Sequence, residues 1–247
     1  MTRKQLLTLF TDKDMYLMSR TKRGKDRRLM ELSKTKRRKM EYNNLHLTEN
    51  MEFSDENGFP IVKPYSGKTD WEYHPYNDYR KLDGKNQAIH FFTDDYKFML
   101  PTWDKLEETT MKLSKFNCLL APDYSLYVDA PMFVNKMNIY KSRFAAAFWQ
   151  NCGLNVIPVA SWGGADTFSF CFESLPKNSI IAVCGVGIRW SKASILLWQY
   201  GIRALEETLT PQLILVYGEF MDISGIQTPI IFLPDTISKF YRNAKAI

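Results

Sequence analysis

The chain is short of the residues that most often announce chemistry. Its four cysteines, Cys118, Cys152, Cys171 and Cys184, form no Cys-x-x-Cys pair and sit in no Cys/His cluster, which excludes the common zinc modules and a dithiol redox site. Three of them lie in apolar runs (NCLLAP, SFCF, IIAVCG), so all are read as buried, inert thiols of a reducing compartment, without disulfides. Histidine is scarcer still. His46, His74 and His90 stand at no recognisable spacing from a Ser or Cys nucleophile, and each reads as a core or surface residue. Neither G-x-S-x-G nor H-E-x-x-H occurs, so the nucleophile elbow and the zinc-peptidase helix are both missing. No stretch approaches the roughly 20 apolar residues of a membrane span. The opening MTRKQLLTLFTDKD returns to charge too soon for a signal peptide, and the expectation is a cytoplasmic protein that does not enter a membrane.

What is present is enough for a packed core. Apolar residues make up 45% of the 247 positions and aromatics 14%, far from a disordered composition. Charge is unevenly placed. Residues 1–40 carry fourteen Lys or Arg against four acids, a net of +10, so the remaining chain is left at −4 within a total of +6. Most of that positive charge lies in SRTKRGKDRRLMELSKTKRRKM, residues 19–40, at Arg20, Lys22, Arg23, Lys25, Arg27, Arg28, Lys34, Lys36, Arg37, Arg38 and Lys39. Six of the eleven are arginines, whose planar guanidinium groups suit phosphate oxygens. Such segregation points to a polyanion-binding arm, with nucleic acid as the favoured partner and a solvating tail or an acidic protein as the alternatives. With no interleaved aromatics and no recognition helix, contacts would go to the backbone with little sequence specificity.

Three regions follow. Residues 1–40 form the basic arm, with a short helix expected at Leu6 to Met18 and the strip mobile until it meets its partner. Residues 41–87 are turn-rich and read as an irregular wrapping segment, pinned to the body by Phe53, Phe59, Tyr65, Trp71, Tyr73, Tyr76 and Tyr79. Residues 88–247 form an α/β domain. Strands are expected at 88–92, 117–121, 155–160, 179–184 and 212–217, with a sixth candidate at 229–233. Helices are expected at 131–151, where Phe133, Met137, Tyr140, Phe144 and Phe148 mark one stripe, at 191–209 with Ser191 as N-cap, and at 102–113. The alternation implies a parallel sheet of five or six strands, either doubly wound or closed into a partial barrel.

FPIVKP at 59–64, APDYSLYVDAP at 121–131, LNVIPVASWG at 154–163, FCFESLPKNSIIAVCGVG at 170–187 and LILVYG at 213–218 stand in series. Over about residues 50–220 the chain resembles the family catalogued as domain of unknown function 4417, found in phages, plasmids and integrated elements, largely of Gram-positive bacteria. The resemblance implies a mobile-element setting and a basic arm ahead of the PIVKP segment. It supplies no catalytic residue.

In parallel sheets, ligands bind beyond the carboxyl ends of the strands. The residues there are Thr93, Asp94 and Asp95; Asp123, Tyr124 and Ser125; Ser161, Trp162 and Gly163; Gly185, Gly187 and Arg189; Gly218 and Glu219. Asp94, Asp95 and Asp123 are of the type that shares a divalent cation, but an Asp after a strand more often caps a helix or makes a turn, and Asp129 before Ala-Pro reads as such a cap. CGVGIRWSK offers a glycine turn, Arg189 and a helix start able to receive a phosphate, or simply a tight turn. Trp162 on its glycine-flanked loop either stacks on a ring or closes the core. No cofactor and no metal site is assigned. Two readings stand. The first is a mobile-element protein that binds nucleic acid through the arm and docks a ligand, or a protein of phage or host, on its body. The second is an enzyme acting on a nucleotide or phosphodiester, with Asp94, Asp123 and Arg189 as candidate catalytic residues.

Overall fold

A computed structural model describes residues 42–188, 191–218, 220 and 223–233. The expected Leu6 to Met18 helix and the basic strip lie outside the described residues. Among the described residues, eight short strands run parallel in two ladders. The first is ordered β1 (Glu72–Pro75), β2 (Gln87–His90), β3 (Cys118–Leu120) and β4 (Val156–Ile157); the second β5 (Val159–Ala160), β6 (Ile180–Cys184), β7 (Leu213–Tyr217) and β8 (Ile230–Leu233). Three α-helices lie between them: α1 (Leu106–Leu113), α2 (Met132–Asn151) and α3 (Lys192–Leu209). Among the described residues, none of the helices is long and apolar enough to cross a membrane.

Pro158 divides what the sequence suggests is one strand. Lacking an N–H, it cannot donate to a ladder. Its carbonyl still accepts from Ala182 N at 2.8 Å, while Asn155 and Ile157 offer theirs to Leu119 N at 2.9 Å and Ala121 N at 3.0 Å. The stretch 155–160 therefore serves both ladders. Within each ladder every strand neighbours the next in sequence, which agrees with the partial barrel and leaves no switch point of the doubly wound kind among the described strands.

Register places Ala88 and Cys118 on one face with Ala182, Leu215 and Tyr217 on the corresponding face of the other ladder. These faces meet. The rings of His90 and Tyr217, from β2 and β7, have centroids 4.2 Å apart, and Phe92 stacks on Tyr217 at 5.1 Å. Residues far apart in strand order can touch only if the ladders curl round a shared interior. His90 is completely buried there, its Nδ1 accepting from Phe92 N at 3.3 Å, as a core histidine. The outer faces are covered by helices. Phe91 stacks on Trp149 of α2, while Ile181, Val183, Ile214 and Val216 pack in one cluster with Trp198, Ile202, Leu205 and Leu209 of α3.

Sequence and structure differ in other elements too. A strand, β1, lies within the segment read as irregular; it pairs with β2 alone among described strands, and ends in proline. That segment does bury Phe59, Tyr65, Tyr76 and Tyr79, as anchoring aromatics should. The helix expected from Thr102 begins only at Leu106, because Pro101 sits in a π turn at Leu100–Asp104. The buried face of α2 is wider than the expected stripe: Phe144 is fully buried and Tyr140 and Phe148 pack against the core, but Phe133 is 72% exposed, and Asn135, Ile139, Ser142, Ala146 and Trp149 form a second inward row. Cys152 is exposed, although Cys118 and Cys171 are buried.

Arg143, next to that row, is also fully buried. Its Nη1 donates to Val159 O at 2.9 Å and its Nη2 to Cys171 O at 2.7 Å, tying α2 to β5 and to the segment before β6. Burial pulls the guanidinium down to about 10. A forked, rigid donor set reaches both carbonyls at once, which a lysine ammonium cannot do. Arg143→Ala should lower unfolding free energy by about 3–5 kcal/mol in urea titrations, with Arg143→Lys recovering only a part. A loss under about 1 kcal/mol would show the two carbonyls to be satisfied otherwise.

Candidate functional site

The carboxyl ends of β2, β3, β5 and β6 converge on one cavity of about 420 Å³. That volume falls within the range of about 300–1,000 Å³ typical of small-ligand sites. The loop after β3 supplies the floor. Asp123 lies there, largely enclosed by protein, and accepts a hydrogen bond from Ser161 Oγ of the loop after β5. Loss of solvation pushes its carboxyl up to about 7, and nearby Asp95 adds in the same direction; Ser161, Arg143 and the Cys184 thiol oppose them. A carboxyl so placed changes charge near neutrality, as acid–base groups in enzymes do.

Asp95 holds the neighbouring loop. It accepts from Ser125 N at 3.1 Å and from Ser125 Oγ at 2.9 Å, and Asn138 Nδ2 of α2 donates to Ser125 O at 2.7 Å. Burial raises Asp95 as well, against those two bonds from Ser125. Buried Asn135 clamps the same loop through Tyr127 N and O at 2.9 and 2.8 Å. Asp94 makes no side-chain cap to the short helical turn that follows; it pairs with Lys97 at 2.7 Å.

The aromatic walls come from Phe92, Tyr124, Trp162 and Trp198. Tyr124 is fixed by a 2.7 Å bond between its hydroxyl and Thr102, and Trp198 by donation to Cys184 O at 2.7 Å. Trp162 is half-buried and lies against α3 at Gly201, where an added Cβ would come within 2.1 Å of its ring. A mid-helix glycine costs about 1 kcal/mol relative to alanine. Here it makes the notch in which the indole rests.

Of the residues singled out from sequence, Thr93, Asp94, Asp123, Tyr124, Ser125, Ser161, Trp162 and Gly187 line this cavity. Asp95 lines an adjoining recess of about 480 Å³, which also carries Tyr96, Met99, Tyr127 and Lys141 and shares Asp94, Tyr124 and Ser125. Gly185 lies behind the cavity, its backbone close against Gly218. Arg189, Glu219 and the eleven arm cations lie outside the described residues. Three carboxylates sharing a cation are not seen: among the described residues no group of three or more His, Cys, Asp or Glu is disposed to hold a metal. Asp129 does not cap α2, whose N-cap position is Pro131. Phe92, Lys97, Cys184 and Trp198 were not singled out. Lys97, three residues after Asp94, had a legible signal in that spacing; Trp198 read as core and Cys184 as an inert thiol.

The family model described as Domain of unknown function (DUF4417) matches residues 51–233. Two curated relatives are both named Gene 1 protein. That of Mycobacterium phage L5 is 37% identical over 159 residues, covering 64% of this chain and 68% of the relative. That of Mycobacterium phage D29 is 34% identical over 159 residues, covering 64% of this chain and 58% of the relative. No solved structure matches.

Asp123 gives the fold a pH signature. An unfolded carboxyl releases its proton near 3.8, whereas the folded protein keeps it to about 7. Stability from this group is therefore complete below the lower value, falls as pH rises between the two, and is level above. Wild-type protein should lose melting temperature from pH 4 to 7 more steeply than Asp123→Asn, measured by calorimetry. Parallel curves would place the titration elsewhere.

Proposed function

The chain belongs to the DUF4417 family, and on that premise we propose that it is a phage-type protein that binds nucleic acid through its basic arm, with the strand-end cavity of the α/β body as a companion docking site. The observation that carries this reading is the separation of charge: a net of +10 in residues 1–40 ahead of a body at −4. A body of that net sign disfavours phosphate, so most phosphate contacts are assigned to Arg20 to Lys39. Arginine forks and lysine ammonium groups meeting phosphate oxygens release condensed counterions, which makes such binding steeply salt-dependent.

Affinity for a 20-base-pair duplex or a single strand should fall about 10³- to 10⁵-fold between 50 and 200 mM salt if six to ten phosphates are contacted. Replacing the eleven arm cations with glutamine should abolish binding at the higher salt. Binding that persists in that variant, or a flat salt dependence, would remove the arm from the interface.

A second reading is favoured by one feature of the cavity, the Asp123 carboxyl titrating near neutrality beside Ser161. It makes Asp123 the general acid or base of an enzyme acting on a nucleotide or phosphodiester, without the shared cation first considered. Turnover of single-stranded DNA, RNA or nucleoside triphosphates, followed by mass spectrometry, should then be lost in Asp123→Asn, while unchanged turnover in that variant would exclude the role.

A further inference from the structure

We propose that the strand-end cavity is a nucleobase site, in which a base lies along Trp162 and turns an N–H edge toward Asp123 and Ser161. For a base carried on a strand this rests on the nucleic-acid reading above; a free nucleoside offers the same ring chemistry.

The walls and the floor differ in kind. Phe92, Tyr124, Trp162 and Trp198 provide the walls, so a flat ring finds apolar contact. The floor is a carboxyl and a hydroxyl joined by their own hydrogen bond. Among the described lining residues the one cation is Lys97, and it is 2.7 Å from Asp94. Among the described residues, a phosphate would therefore meet an acidic floor and a cation already paired with Asp94, whereas an uncharged ring bearing N–H donors meets acceptors. Arg189, the cation in the glycine-turn reading, lies outside the described residues.

The Trp162 platform is built in. Its ring occupies the notch at Gly201, a position where any β-carbon would collide with the indole. Contacts to Trp198 at 6.2 Å and Phe172 at 6.1 Å hold it from two further sides. Such a seat fixes the ring without closing the cavity that it borders. The adjoining recess continues from the same loop residues and carries Lys141, where the phosphate of a following nucleotide would find a cation outside the base pocket.

The test uses the full-length protein, a ten-nucleotide single-stranded DNA of mixed sequence, the same strand made fully abasic, and the four free nucleosides. Binding is followed by anisotropy for strands and by tryptophan fluorescence for nucleosides. The mixed strand should bind about 5- to 150-fold more tightly than the abasic one. Trp162→Ala should erase that difference and Trp162→Phe keep most of it, with Asp123→Asn weakening the mixed strand alone. Equal affinity for the two strands, or a difference untouched by Trp162→Ala, together with no nucleoside quenching, overturns the assignment while arm-dependent binding leaves the nucleic-acid reading intact. If no strand binds yet nucleosides quench in a Trp162-dependent manner, the cavity assignment holds and the nucleic-acid reading fails.

Discussion

A buried guanidinium answered by carbonyl oxygens is the constraint on which the arrangement turns. Arg143 is shut off from bulk solvent, so the chain must bring backbone acceptors to it, and those of Val159 and Cys171 come from two separate segments. Val159 immediately precedes Ala160, Ser161 and Trp162, so the same bond that satisfies the cation fixes where the polar floor and the aromatic platform emerge. The next residues are held in turn. Glu173 accepts from Asn57 N at 3.0 Å, and Ser174 O accepts from Val62 N at 3.0 Å, which fastens the N-terminal wrap to the barrel. The arginine is also felt at Asp123, where its charge works against the burial that keeps the carboxyl protonated.

The regular elements were most legible where apolar pattern and end signals agree. The helix α3 shows its stripe, its Ser191 cap accepting from Ser194 N at 3.0 Å, and a stop at Pro211; β6 and β7 are unbroken apolar runs bounded by turns. The strand β1 was illegible because an edge strand half-open to solvent carries Glu72, Tyr73, His74 and Pro75, a sequence with no apolar run to betray it. The helix α2 was visible, but only part of its buried face was, at Tyr140, Phe144 and Phe148. Its second inward row keeps helical spacing, yet Asn135 and Ser142 are polar, and a reading weighted by hydrophobicity passes over them to the aromatics on the neighbouring face.

The candidate site followed from topology more than from motif. Once the strands were placed, the rule that parallel strands present ligands at their carboxyl ends located Thr93, Asp94, Asp123, Tyr124, Ser125, Ser161, Trp162 and Gly187 without a single recognised signature. What it missed reaches the cavity from inside an element. Trp198 comes from the middle of a helix, Cys184 closes a strand and Phe92 also packs in the shared interior; in sequence each is indistinguishable from core. The fates of Asp95 and Asp123 needed the structure, since a staple to Ser125 and a partner hydroxyl on Ser161 are contacts between segments 30 and 38 residues apart.

The four thiols end up in distinct surroundings. Cys118 and Cys171 are sealed, and burial holds both thiols up at about 12, which disfavours the thiolate that an alkylating reagent attacks. Cys152 stands in solvent just past the end of α2, and Cys184 borders the cavity. One molecule therefore contains both a reporter and its reference: alkylation at Cys184 is blocked by whatever fills the cavity, while the rate at Cys152 calibrates reagent and protein in the same tube.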